Sequence, residues 1–379
     1  MTPDQARALL AAPELLHAAS ADDLRVGEQL RRQWPADLVA AASEQAELRA
    51  RARTKTNDAD HLLLTRAGLE QASSDAVAQH RASHFRRLDG TVVDLCCGLG
   101  FDLRALGQVC TVIGVDVDET HAVCAAHNSG VAVAVADVHD LRLDGVAAAY
   151  VDPARRESGA SGRRGGYQPA LEWCLQLPVA RVAVKTAPGV DVATVPAGWE
   201  IEFVAEGRAL KEACLWSPAW AGAARRATVL SAGRTETLTS AGTSAGGSPL
   251  LPVAPPGGFL LDPSPAVTRA GLVAELGVEL GGWQIDPKIA FLSADRPLTS
   301  PFGRSLRVEA SLPFSVKALA AELRRLDVGP IDLRRRGLAG DVDDLRRRLR
   351  PHGTRHALVV LTRVVNKPWT LICFDEQPS

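Results

Sequence analysis

From residue 91 onward, apolar runs of four to six residues alternate with stretches of helical periodicity. The runs lie at 91–95, 112–115, 131–135, 147–151, 179–184, 200–204 and 227–230, and residues 118–128 carry helical spacing between two of them. Such alternation predicts an α/β fold with a doubly wound, Rossmann-like parallel sheet, because strands buried on both faces need continuous apolar runs. Before it, residues 3–56 have helical character. Asp22-Asp23-Leu24 has the form of a helix start, residues 38–51 have apolar positions at helical spacing, and a further helix is expected over 75–85. Residues 232–258 are rich in Thr, Ser, Gly, Ala and Pro, the composition of a linker or long loop. Beyond it, Ser264 is placed to cap a helix beginning at Pro265. Residues 306–374 then predict strand, helix (316–326), strand (331–335), helix (341–349) and strand (356–364), a small α+β domain. The expected organisation is a helical region (1–88), a Rossmann-like domain (89–231), the linker (232–258), a small connecting module (259–303) and an α+β domain (304–379).

A chain of 379 residues is long enough for two or three domains, and 46% hydrophobic against 23% charged residues is ordinary for a globular protein. With aromatics at 4%, the core must be built mainly from Ala, Val and Leu. The absence of an eighteen-residue apolar stretch or a basic-then-apolar N-terminus leads to the expectation of a cytoplasmic protein without a membrane span. Seven cysteines without a Cys-x-x-Cys pair argue against a disulfide framework or a zinc knuckle, and no metal is expected. The net charge of −1 hides an asymmetry: residues 304–367 hold 15 Lys/Arg and 7 Asp/Glu. A basic module on a mildly acidic body suits a polyanion such as RNA, although an Arg-rich solvated helix face would read the same way.

The candidate chemistry begins at the first apolar run, which ends in Asp94 and continues Leu95-Cys96-Cys97-Gly98-Leu99-Gly100. Glycines after a strand permit a tight turn and close approach of backbone to a ligand. The second run ends at Asp116, 22 residues on, where a carboxylate can accept from both ribose hydroxyls; the third ends at Asp137, placed to meet an adenine amino group. A nicotinamide dinucleotide loop would need glycine at position 103, where Leu103 stands, and an acid at Asp94 suits a cationic amino-acid group better than a pyrophosphate. The ligand expected is S-adenosyl-L-methionine (SAM), held by Asp94, Cys96, Gly98 and Gly100 at the methionine end, Asp116 and Val117 at the ribose, and Asp137 and Val138 at the adenine.

The fourth run ends Asp152-Pro153-Ala154-Arg155-Arg156, facing the methyl donor across the carboxyl edge of the sheet. Asp-Pro matches half of the Asn/Asp-Pro-Pro-aromatic segment with which amino-methyltransferases orient an exocyclic amine, so Asp152, Pro153 and Arg155 are the catalytic candidates. Ala154 and Arg155 depart from that pattern, leaving Tyr167 or Trp173 to supply any stacking ring. Arg156, Arg163 and Arg164 in a Gly/Ser loop suit a phosphate-bearing substrate. Lys185, at the end of another run, could touch that phosphate or pair with a local carboxylate.

The motifs at 94–100, 114–118, Asp137 and 152–156 resemble class I SAM-dependent methyltransferases. More narrowly, Leu69-Glu70-Gln71-Ala72, Asp152–Arg156, Val184-Lys185-Thr186-Ala187-Pro188-Gly189 and Asp262-Pro263-Ser264-Pro265-Ala266-Val267 resemble bacterial methyltransferases with a C-terminal THUMP-like domain, whose tail Arg334-Arg335-Arg336-Gly337 matches. The resemblance implies that residues 69–72 lie over the donor pocket and that Arg334, Arg335 and Arg336 meet RNA. Because the catalytic half is similar to trimethylguanosine synthase and guanine 2-amino methyltransferases, it also implies methylation of an RNA base, with a guanine amino group of tRNA as the expected acceptor. A protein or small-molecule acceptor, or a non-catalytic RNA-binding role, are the alternatives the residues leave open.

Overall fold

The computed structural model describes residues 1–19, 24–155, 166–241, 247, 249–338 and 342–375. They form two compact units, the first of residues 1–200 and 212–221, the second of 201–211 and 222–379.

The first unit opens with helices α1 (Pro3–Leu10), α2 (Pro13–Ala18), α3 (Leu24–Leu30), α4 (Ala36–Ala52), α5 (Arg66–Gln71) and α6 (Asp75–Ser83). Residues 22 and 23 of the expected helix start lie outside the described residues; α3 begins at Leu24. Between α4 and α5, Leu62, Leu63 and Leu64 are buried among Leu9, Leu15 and Leu48. An extended segment in an apolar core must find partners for its backbone groups. Two side-chain amides supply them: Gln45 bridges both the N–H and the carbonyl of Leu64 at 2.8 Å, and Asn128 accepts from the Leu63 N–H at 2.8 Å while donating to its carbonyl.

The predicted alternation follows as β1 (Val92–Leu95), α7 (Phe101–Gly107), β2 (Val112–Asp116), α8 (Glu119–Ser129), β3 (Val133–Val135) and β4 (Ala148–Val151). Next come a two-residue pair, β5 (Ala154–Arg155) with β6 (Tyr167–Gln168), then α9 (Leu171–Cys174) and β7 (Val182–Thr186). Strands β1, β2, β3, β4 and β7 are mutually parallel in the order β7-β4-β1-β2-β3, and every residue of β1, β4 and β7 is buried. The fold class is therefore the α/β sheet that the apolar runs predict. Its carboxyl edge gathers the acids Asp94, Asp116, Asp137 and Asp152, each at or just past a strand end.

In the second unit β8 (Glu200–Glu206) runs parallel to β10 (Arg225–Ser231), which forms a hairpin with β11 (Arg234–Thr239). Strand β9 (Ala209–Trp216), absent from the sequence expectation, pairs antiparallel with β7 through residues 213–216. Strand β11 falls inside the expected linker: Thr, Glu and Arg in alternation make one mostly exposed edge strand, and composition alone conceals it. The chain continues through β12 (Phe259–Pro263), α10 (Pro265–Ala270), α11 (Val273–Leu280), β13 (Trp283–Gln284), β14 (Leu292–Ala294) and β15 (Gly303–Pro313). It ends with α12 (Val316–Arg325), β16 (Val328–Arg335), α13 (Val342–Leu349), β17 (Arg355–Val364) and β18 (Lys367–Asp375). Seven strands make one sheet in the order β13-β14-β12-β15-β18-β17-β16, so residues 259–303 share a sheet with the basic region after them. Ser264 caps α10 as expected, its hydroxyl accepting from the Ala266 N–H. Among the described residues no helix is long and apolar enough to cross a membrane.

Replacing Gln45 by leucine removes both partners of Leu64 in a fully buried site. Gln45→Leu is expected to lower the unfolding free energy by about 1–3 kcal/mol, measured by denaturant melts against wild type.

Candidate active site

A cavity of about 400 Å³ opens at the carboxyl edge of β1, β2, β3 and β4. Its floor is the turn after β1. Cys96, Gly98 and Gly100 all take positive φ (64°, 54° and 77°), a conformation costly for a residue with a β-carbon, so two of the three are glycine. At Gly100 a β-carbon would also sit 2.9 Å from the Ala125 backbone of α8, whereas at Gly98 it would meet nothing within 4 Å. Gly100 thus lets α8 approach the turn, and Gly98 leaves backbone open toward the cavity.

The turn is held from three sides. Gly98 donates to the Asp116 carboxylate at 2.8 Å, whose other oxygen accepts from the Asp118 N–H at 2.9 Å. Asn128 donates to the Leu99 carbonyl at 2.9 Å, joining the turn to Leu63. Gly68 of α5 packs so closely that a β-carbon there would lie 2.6 Å from Leu99. Gly68, Gln71 and Ala72 consequently line the cavity, and Lys55 fixes the end of α5 by donating to the carbonyls of Leu69 and Ala72.

The expected ligand-contacting residues fall into two groups. Cys96, Gly98, Asp116, Val117, Asp137 and Val138 line the cavity; Val117 is 70% exposed, an apolar wall left bare. Asp137 accepts from the N–H and the ring of His139 (2.9 and 2.7 Å), which holds its carboxyl below the usual range. Burial, by contrast, raises the Asp116 carboxyl. Burial also raises the thiols of Cys96 and Cys97, so neither is a reactive thiolate. Gly100, packed on α8, and Asp94 are not on the cavity wall: Asp94 lies behind the turn, fully buried, and neither of its carboxylate oxygens has a hydrogen-bond partner among the described residues. Burial, reinforced by Asp102 and Asp152, pushes its carboxyl well above the usual range.

On the acceptor side, Asp152 lines the cavity and Lys185 Nζ donates to its Oδ2 at 2.7 Å. Of the two expectations for Lys185, the structure shows the carboxylate pair: the lysine is buried against Asp152. Burial works against its charge, but Asp152 and Asp102 outweigh it and raise the lysine. Pro153 is buried and Arg155 exposed, and neither is a cavity wall. Arg156, Arg163 and Arg164 lie outside the described residues. Of the candidate rings, the Tyr167 hydroxyl accepts from the Ala187 N–H at 2.8 Å, and Trp173 packs on His139 with ring centroids 4.6 Å apart. The rings on the wall itself are Phe101, His121 and His139, none of which the acceptor pattern singled out.

Sequence reasoning also missed the charges beneath the site. Asp102 lines the cavity and pairs with Arg81, which also holds Glu212; all three are buried. Ser73 and Tyr150 donate to Asp102 at 3.1 and 3.2 Å, and Lys185 lies 3.7 Å from it. Burial raises Asp102, but Arg81 and Lys185 outweigh it and hold the carboxyl low; for Glu212 burial prevails and the carboxyl is raised. Its position in the first turn of α7 gave Asp102 only the signature of a helix-start acid.

An orphaned buried acid leaves a pH signature. Asp94 has a folded pKa above its unfolded value of about 3.9, so between the two the folded state binds more protons and stability falls as pH rises. Asp94→Asn does not titrate. Its melting temperature relative to wild type is therefore expected to increase from pH 4.5 to pH 7.5, checked by thermal melts without ligand.

Comparison with known proteins gives three findings. The chain is 39% identical over 319 residues to S-adenosylmethionine-dependent methyltransferases of two Mycobacterium tuberculosis strains, covering 80% of this chain and 85% of each relative. Residues 303–374 match the THUMP domain-like family, and residues 1–52 match a domain of unknown function. A crystal structure from Porphyromonas gingivalis W83, described as that of a methyltransferase, shares the fold with a TM-score of 0.73 at 21% identity, over 91% of this chain and 92% of that one. The chain therefore belongs to the S-adenosylmethionine-dependent methyltransferases and carries a THUMP-like domain at its C-terminus.

Proposed function

We propose that the protein methylates an exocyclic amino group of an RNA base, with guanine in tRNA as the acceptor. The observation that carries this reading is Asp152, an acid at the cavity mouth with one oxygen held by Lys185 and Oδ1 left for an acceptor N–H. The THUMP-like region, basic in a chain whose net charge is −1, supports RNA as the substrate class. The similarity of the Asp152-Pro153 segment to guanine 2-amino methyltransferases supports the base and atom.

The residues fit the donor. SAM carries an ammonium and a sulfonium, and the cavity wall presents Asp102, Asp116, Asp118, Asp137 and Asp152 with no Lys or Arg among its described lining residues. Asp116 and Val117 would hold the ribose, and Asp137, Val138 and Gly98 complete the cradle with polar groups and bare backbone.

When bound, SAM supplies an electrophilic methyl carbon on sulfur. Asp152 would accept a hydrogen bond from the acceptor amine, turning the nitrogen lone pair toward that carbon, and would take the proton as the nitrogen gains its new bond. Lys185 would hold Asp152 in one rotamer, and α5 would cover the cavity and exclude water.

Asp152→Ala is expected to bind SAM within about threefold of wild type by calorimetry while losing at least about a hundredfold in methyl transfer to tRNA. Mass spectrometry of nucleosides from treated tRNA would name the product; transfer at the wild-type rate by the variant would overturn this acceptor site.

A further inference from the structure

The second unit holds a cavity of about 660 Å³ that no part of the donor site uses. Four arginines line it, Arg208 in the turn between β8 and β9, Arg304 at the start of β15, Arg334 in β16 and Arg346 in α13, against the carboxylates Asp262 and Asp332. Arg304, Arg334 and Arg346 lie within the THUMP-like match, and Arg208, Asp262 and Ser264 lie outside it.

The key group is Asp262. Its side chain is only 4% exposed, and its two oxygens lie 3.0 Å from guanidinium nitrogens of Arg334 and Arg336. One buried carboxylate thus holds two guanidiniums in place, and a surplus positive charge stays fixed at the wall. The pairing is incomplete: Arg334 Nε and Arg336 NH1 are buried with no hydrogen-bond partner among the described residues. Arg336 is further held over the Phe291 ring, 5.0 Å from its centroid. Asp262-Pro263-Ser264 and Arg334-Arg335-Arg336, motifs 72 residues apart that the sequence singles out separately, therefore form one arrangement.

The remaining arginines differ among themselves. Arg304 is neutralised by Asp375 in a two-pronged pair. Arg208 and Arg346 are exposed and make no ion pair among the described residues; Arg346 donates only to the Ile331 carbonyl at 3.2 Å. A cation is excluded by this surplus of guanidiniums, and an apolar ligand would leave their donors unpaired. An anion with several acceptor oxygens satisfies them, and the cavity is larger than a bare phosphate needs.

We propose that this arginine cavity seats a phosphate-bearing nucleotide of the substrate RNA, an anchor separate from the methyl-transfer site; the choice of RNA as source rests on the function proposed above. Arg334 would supply a preorganised fork to phosphate oxygens, and Arg208 and Arg346 would close on them.

The test titrates full-length protein into fluorescently labelled tRNA, followed by anisotropy over a range of salt concentrations. Arg208→Ser/Arg346→Ser is compared with Lys317→Ser/Arg324→Ser, which removes equal charge from α12 outside the cavity. The cavity variant is expected to bind at least about tenfold more weakly and to lose about one to two units of the slope of log affinity against log salt, with SAM affinity unchanged. The α12 variant should stay within about threefold of wild type. Equal losses in the two variants, or wild-type affinity in the cavity variant, would overturn the anchor while leaving the RNA reading intact. If wild type binds no RNA, that reading fails, and pyrophosphate decides the site: binding lost in the cavity variant supports an anion site for a free phosphate ligand, and no binding to wild type overturns it.

Discussion

The donor cavity is organised around the carboxylate of Asp102. It accepts from Ser73 and Tyr150, pairs with Arg81 and lies 3.7 Å from Lys185, thereby joining the segment before α6, α6 itself, α7, β4 and β7. Burying charge is tolerated only when the partners are complete, and removing one partner leaves the others exposed to the full penalty. Both ends of the array have a further partner: Arg81 reaches Glu212 in β9, and Lys185 reaches Asp152 at the cavity mouth. The rim at Asp152 is therefore a continuation of the buried network, held by Lys185 more than 30 positions away in the chain.

The N-terminal helical region is part of this site. Gln45 and Asn128 satisfy the buried backbone of Leu63 and Leu64, and Asn128 extends the same bonding to the turn after β1. Close packing of Gly68 on Leu99 then brings α5 over the cavity. A side chain at position 68 would push helix and turn apart, so glycine there serves contact, whereas glycine at 100 serves both contact and backbone conformation.

Positive charge in the second unit is similarly structured. A basic run such as Arg334-Arg335-Arg336 invites the picture of side chains reaching freely into solvent. Two of the three, Arg334 and Arg336, are tied to Asp262, and Arg334 lines a cavity. Preorganised guanidiniums surrender less conformational entropy on meeting an anion than mobile ones, the physical difference between a binding site and a charged surface.

The sequence by itself determined the α/β sheet and the turn after β1. Strands buried on both faces need unbroken apolar runs, and left-handed backbone beside a closely packed helix admits only glycine, so both are written locally. It placed Asp94, Asp116, Asp137 and Asp152 on one edge because parallel strands of similar length end together. The weaker periodicity of β11, β9 and β18 escaped it, since a half-exposed edge strand and a strand following a tight turn are defined by their neighbours. Only the tertiary structure decided that Lys185 pairs with Asp152, that Asp94 is sealed behind the turn, that Arg81 meets Glu212 across 131 positions, and that Asp262 gathers Arg334 and Arg336. Charge pairing depends on which strands and helices become neighbours in space, and no local pattern along the chain carries that information.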